Sequence, residues 1–212
     1  MSILTSKNAV TVALAASRSI EEIPEMPGVY AFYSAITSRR AIGLYSGGVP
    51  TADEIARARK IFSRKLQALL ALRKARAYSG EVKDPSRGVH LSPAYDVTLQ
   101  EKVSLDAIYP ILELDDDTFI KAVDLLEETF FLQVPVYFGI TKSQTLRDRC
   151  RQHRYDFRAY NQNSTFGFRA REAGLDWSDL IFSACPSKAY GSELVQVERI
   201  MHLLTNPILS LR

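Results

Sequence analysis

The stretch Val136-Tyr-Phe-Gly-Ile-Thr-Lys-Ser-Gln-Thr-Leu-Arg-Asp-Arg-Cys-Arg-Gln-His153 changes character halfway along. Its first residues are apolar and aromatic and read as the end of a buried strand, Val134 to Ile140. Its second half reads as a helix from about Thr145 to Tyr160. On a wheel of about 100° per residue, Arg147, Arg151, Arg154 and Arg158 share one face, and Leu146, Cys150 and Phe157 share another. Arg149 and His153 are one turn apart and therefore neighbours. They fall at the margin of the apolar stripe, towards whatever the helix packs against. A helix that needed only solubility has no reason to put a cation there. Two structural readings stand beside a functional one: Arg149 as an ion-pair partner and His153 as a hydrogen-bonded core histidine, with the outer four arginines simply solvated.

Working outward, Gly28-Val-Tyr-Ala-Phe-Tyr33 is a second aromatic strand, and Ala41 to Ser46 is expected to pair with it. Ser6 to Ser17 reads as a short helix, and Glu21 to Pro27 as extended because of its two prolines. Thr51 caps a long basic helix running to about Tyr78. Ser79 to Pro93 reads as loop and Val103 to Leu114 as extended chain. Asp115, Asp116 and Asp117 cap a helix from Thr118 to about Phe130. Phe166 to Ala173 reads as a short helix ended by Gly174, and Trp177 to Cys185 as a third strand. A last helix spans Glu193 to about Thr205 and stops before Pro207.

The 212 residues suit one domain, and 46% apolar content supports a packed core. No run approaches the roughly 18 apolar residues of a membrane span, and the apolar patch at Ala9 to Ala16 has poor signal-peptide flanks. Cys150 and Cys185 have no metal-site or disulfide-framework spacing. A cytoplasmic protein with no membrane partner is expected. The net charge of +3 hides a division. Residues 1–100 carry 14 Lys/Arg against 8 Asp/Glu, residues 101–134 carry 2 against 9, and residues 135–212 carry 11 against 7. A basic, acidic, basic order is compatible with nucleic-acid binding.

Three pieces form a constellation: Gly28-Val-Tyr30, Tyr137-Phe-Gly139 followed by Leu146-x-x-Arg149-x-x-x-His153, and Glu198 with Pro207 nine residues later. In order and setting they resemble the GIY-YIG nuclease family. The resemblance covers about residues 26–34 and 134–210. It implies that the two tyrosine strands pair, that Arg149 supplies the helix arginine, and that Glu198 holds a metal. There are departures. Residues 35–133 stand where a short hairpin loop is usual, Ile140 stands where several members carry lysine, and Ser210 stands where the family closes with asparagine.

The residue types suit phosphodiester hydrolysis, which needs a base for water, a cation for developing phosphorane charge, a metal, and help for the leaving oxygen. Glu198 is a hard oxygen ligand for Mg²⁺ (or Mn²⁺), which binds through one carboxylate plus phosphate and waters. Arg149 can grip two phosphate oxygens. The resemblance gives Tyr30 the role of general base, although a phenol needs a cation beside it to act near neutral pH. His153 relays that proton or binds phosphate, and Tyr137 orients water or phosphate. Arg147, Arg151, Arg154 and Arg158 on the outer face of the arginine helix are candidate phosphate contacts, with Arg169 and Arg171, and with Arg64 and Lys65 within the basic helix 54–76. Tyr30 and Tyr137 also suit a strand core, and Glu198 an exposed helix face.

The expected fold is α/β: a small mixed or antiparallel three-stranded sheet flanked by helices. One domain would span 1–212, with a helical insertion over about 35–133 available for target recognition. The expected function is a metal-dependent endonuclease on double-stranded DNA, of restriction, defence or mobile-element type, leaving 5′-phosphate and 3′-hydroxyl ends. Cutting both strands would call for a homodimer. A catalytically weak nucleic-acid-binding protein and an RNA-directed nuclease are the alternatives. The nuclease reading requires Tyr30, Tyr137, Arg149, His153 and Glu198 to converge on one cleft. The core reading requires Arg149 paired to an acid and Glu198 in solvent.

Overall fold

A computed structural model describes residues 9–16, 18–45, 48–74, 77–83, 94–100, 105–129, 132–159, 165–187 and 192–210. Its centre is a four-stranded antiparallel sheet in which β2 (Gly28–Ser34) lies between β5 (Tyr137–Thr141) and β6 (Leu180–Pro186). The fourth strand, β1 (Val10–Ala13), covers the outer edge of β6. The sheet therefore has four strands where three were expected. The tyrosine strands pair as anticipated, with Gly28 opposite Thr141, Tyr30 opposite Gly139 and Phe32 opposite Tyr137.

Strand β2 forms because its aromatic and small residues fill a two-sided burial. Phe32 is completely buried and Tyr30 is 2% exposed, and each such ring is worth about 1.5–3 kcal/mol of apolar burial. The rings of Phe32 and Phe166 stack 4.4 Å apart, and Phe182 stacks on Tyr30 at 5.4 Å. Two helices, α4 (Leu146–Arg158) and α5 (Phe166–Glu172), supply much of this core through Leu146, Cys150, Phe166 and Ala170. Thr145 caps α4 by accepting from the Asp148 amide, and Thr165 caps α5 by accepting from that of Phe168. The last helix, α6 (Ser192–Thr205), buries Leu194, and the segment after it returns to the sheet edge, where Leu209 N donates to Val136 O.

A second core lies within residues 42–126. Helix α1 (Ala52–Lys74) packs Ile55, Ala58 and Phe62 against Phe119 and Val123 of α3 (Asp116–Glu128), with Ile42 and Leu44 beneath. Leu66 of α1 touches both cores. Thr51 and Glu54 form a reciprocal cap on α1, and Asp115 caps α3. A hairpin of β3 (Ala77–Lys83) and β4 (Ala94–Gln100) completes this part of the chain. The α1 cluster is joined to the sheet by a buried ion pair, Lys65 Nζ to Asp179 Oδ1 at 2.6 Å. Asp179 Oδ2 also accepts from the Asp176 amide, closing the turn that leads into β6.

Several local expectations are corrected. Residues 10–13, read as helix, are strand: Val12 faces in and its neighbours face out, a period of two that the alanine-rich flank concealed. Ala41 to Ser46 does not join the sheet. Its described part turns through Gly43, at φ 89°, so that Ile42 and Leu44 point into the second core. Residues 77–83 belong to β3, so α1 ends at Lys74, while 84–93 lie outside the described residues. The expected extended stretch Val103 to Leu114 contains a 3-10 turn, Leu105–Ile108, and a helical turn α2, Tyr109–Leu112. Pro110 is tolerated there because the first turn of a helix needs no amide donor. Ser19–Glu22 is a 3-10 turn, and Trp177–Asp179 is another before β6 begins.

Candidate active site

A polar cleft of about 620 Å³ opens where α4, α5, α6 and the β5 edge meet. Tyr137, Arg149, His153, Phe166, Arg169 and Glu198 are among the residues on its wall. Each is placed by a different local device. Tyr137 begins β5 opposite Phe32. Arg149 and His153 come from the first and second turns of α4, held in register by its Thr145 cap. Glu198 comes from α6, whose Leu194 anchors it to the core.

Tyr30 lies behind this wall. Its hydroxyl is 2.8 Å from His153 Nε2 and accepts from Arg149 Nε at 3.1 Å. The direction of the Tyr30–His153 bond follows the imidazole tautomer, since the phenol can donate to a bare Nε2 or accept from an Nε2–H. His153 Nδ1 is buried and has no hydrogen-bond partner among the described residues. Gly139 makes the arrangement possible. A Cβ there would stand 2.7 Å from the Tyr30 oxygen, so only glycine lets the ring cross β5. Gly28 is required as well, since a Cβ would stand 2.3 Å from the Cys185 carbonyl on β6.

The electrostatics follow from burial. His153, 3% exposed, is held down to about 3 by desolvation, with Arg149 and Arg169 adding repulsion. It is neutral at physiological pH. Burial, seconded by Tyr137, pushes the Tyr30 phenol well above the ordinary tyrosine value, although Arg149 opposes the shift. A phenol in that setting keeps its proton, the reverse of what a free general base requires. Tyr30 in this arrangement orients Arg149 and His153. Burial also raises the Cys150 thiol to about 12, leaving it an inert core residue.

Arg149 pairs with no acid among the described residues. Its Nη1 donates to Gln152 Oε1 at 2.6 Å and its Nε to Tyr30. Glu198 is half-buried on the cleft wall, with no hydrogen-bond or ion-pair partner among the described residues. An uncommitted carboxylate suits a hard divalent cation that takes its other ligands from phosphate and water. No three His, Cys, Asp or Glu side chains gather around an ion site among the described residues, so Glu198 would act as a single protein ligand.

The expected phosphate contacts divide. Arg147 binds Glu25 and the carbonyls of Ile23 and Glu21, and Arg151 binds Glu21. Both therefore brace α4 against the segment before β2. Lys65 is committed to Asp179, and Arg171 to the carbonyls of Phe157 and Ala159. Arg169 donates to Leu209 O while lining the cleft. Arg154 is partly buried, Arg158 is exposed, and Arg64 is exposed beside Lys60 on the outer face of α1.

The sequence reading did not single out Gln152, Asp156 or His202, which also line the cleft. His202 lies one turn beyond Glu198 on α6, a spacing legible in the sequence. His90 lies outside the described residues. Ser210 Oγ accepts from Phe138 N at 3.4 Å, so serine at this position still ties the final segment to β5.

Comparison of the chain with protein-family models, curated proteins and solved structures returned no match. Among the described residues, no helix is long and apolar enough to cross a membrane.

Proposed function

We propose that this protein is a metal-dependent endonuclease that hydrolyses phosphodiester bonds of DNA, with chemistry like that of the GIY-YIG nucleases. The observation that carries the reading is the placement on one cleft wall of Arg149, without an acidic partner among the described residues, and Glu198, without any partner among them. A structural role for Arg149 would call for an acid beside it, and a solubilising role for Glu198 would put it in open solvent.

Within this reading, Glu198 holds Mg²⁺ or Mn²⁺, which when bound supplies Lewis-acid stabilisation of phosphate and leaving oxygen. Arg149 meets the scissile phosphate with the guanidinium edge not used by Tyr30 and Gln152, neutralising charge as it develops. Tyr30 fixes Arg149 Nε and the ring of His153, so both enter the reaction pre-oriented. Tyr137 and the cleft face of His153 position the attacking water. Arg158, Arg64 and Lys60 are exposed cations available to phosphates outside the cleft.

A second reading rests on the protonated state of Tyr30 and the weak basicity of His153, held down to about 3 chiefly by burial. Without a competent base the same cleft would bind nucleic acid and turn it over slowly. Cleavage of supercoiled plasmid and of single-stranded RNA, with Mg²⁺ and with EDTA, separates the readings. DNA products that require metal and Glu198 support the endonuclease. RNA products alone change the substrate, and gel shifts without products leave a binding protein.

A further inference from the structure

The α6 helix has two apolar faces and the fold uses one. Leu194 is buried beneath it, but Val197, Ile200, Leu203 and Leu204 are 42%, 55%, 83% and 75% exposed. Positions 197, 200 and 204 lie three and four apart, so they form one continuous ridge, with Leu203 on its flank. This departs from the usual scatter of single surface leucines. The helix ends beside a cavity of about 310 Å³ lined mainly by apolar groups, including Leu69, Leu70, Val134, Pro135 and Ile208. Thr205 and Asn206, which directly follow the ridge, line the same cavity. Leu132 and Val134, at the cavity's margin in the chain, are 73% and 51% exposed. Ridge and cavity thus make one surface.

We propose that this surface is a two-fold interface with a second copy of the chain, in which each copy's Leu203–Leu204 ridge enters the other's Leu69–Val134–Ile208 cavity. A two-fold contact must be self-complementary, so that what one copy offers the other receives. This chain carries both the knob and the hole on one patch, and reciprocal docking covers both at once. Six apolar side chains, Leu132, Val134, Val197, Ile200, Leu203 and Leu204, are 42–83% exposed on this surface. With a polar rim they are the apolar centre that an interface of roughly 800 Å² per partner needs. The rim is present and mixed in sign, since Glu193, Gln196 and Arg199 are exposed around the ridge. A ridge bordered by both signs is a poor match for an anionic membrane surface, which favours a lysine- and arginine-rich border.

The interface would also place the outer face of the Glu198-bearing helix at the dimer axis. This consequence rests on the endonuclease reading: two linked clefts allow cleavage of both strands of a duplex in one encounter. Sedimentation velocity over a concentration series tests the interface without reference to catalysis. The wild-type chain should sediment at about twice its mass of 23.8 kDa, and the L203E/L204E variant at the single-chain mass with an unchanged circular dichroism spectrum. If that variant does not fold, Val134→Asp, on the cavity side, should give the same dissociation. A wild-type protein that stays monomeric at every concentration overturns the proposal, as does either folded variant at the dimer mass. If the endonuclease reading holds, the dissociated variants should nick supercoiled plasmid and fail to linearise it in one binding event. Dimers without any cleavage would sink the nuclease reading and leave the interface standing.

Discussion

The Tyr30 hydroxyl and His153 Nε2 stand 2.8 Å apart although 123 residues separate them in the chain. The contact joins the middle of β2 to the second turn of α4, and Arg149 Nε reaches the same oxygen. One hydroxyl therefore sets the direction of two side chains facing the cleft. Tyr30→Phe should fold but lose about 1–3 kcal/mol, because the buried His153 Nε2 and the part-buried Arg149 Nε lose their shared partner. Urea denaturation with an unchanged m-value is the measurement. In the nuclease assay the same variant should fall by roughly 10²-fold or more, as Arg149 loses its orientation.

Gly139→Ala probes the same crossing from the other strand. The added methyl would meet the Tyr30 ring and oxygen below 3 Å. A destabilisation of about 1–3 kcal/mol is expected from overpacking. In the double variant with Tyr30→Ala the alanine should be nearly harmless, because the ring it strikes is gone. An equal cost in both backgrounds would show that the glycine serves some other purpose.

His153 gives stability a pH dependence of definite sign. Its folded value is depressed to about 3 from an ordinary 6.5. Between those values the unfolded chain binds a proton that the folded chain does not. The stabilisation from keeping His153 neutral is complete above about pH 6.5 and is lost as pH falls towards 3. The slope is up to about 1.4 kcal/mol per pH unit. Denaturation midpoints at pH 7.5, 6.0 and 5.0 should fall for the wild type, and the fall should be shallower for His153→Gln.

The buried pair Lys65–Asp179 ties α1 to the turn that leads into β6, with side chains 10% and 2% exposed. Lys65→Met leaves Asp179 buried with its turn amide as its only described partner, and should cost about 3–5 kcal/mol. Asp179→Asn, which keeps the shape of the turn, should cost a similar amount. The double variant should recover a substantial part, and strict additivity in the double-mutant cycle would contradict the coupling.

Much of the central frame was legible in the sequence for physical reasons that recur. Strands β2 and β5 carry aromatic residues bounded by glycine or proline, and α1, α3 and α4 announce their starts through Thr51, Asp115 and Thr145. The wheel position of Arg149 and His153 foretold that both would turn inwards. Strand β1 was not legible: four residues beside an alanine run hold too little period-two signal to outweigh helix propensity. Strand β3 was concealed because Gly80 and Ser79 look like loop residues until β4 pairs with them. The partners of Arg147 and Arg151 were invisible for another reason. Glu21 and Glu25 lie more than a hundred residues away, so a helix that looks uniformly basic by itself is partly neutralised by the fold. A core place for Tyr30 was open in the sequence, but the depth that keeps its phenol protonated was not, because it depends on β6 and α4 together.

The central claim is that Arg149 and Glu198 form the working edge of a metal-dependent nuclease cleft. The most direct measurement is cleavage of supercoiled plasmid by the wild type and by Glu198→Ala, each with Mg²⁺ and with EDTA. Nicked or linear products that appear only for the wild type with metal are the predicted result. Intact plasmid under all conditions, or cleavage that persists in folded Glu198→Ala, would contradict it.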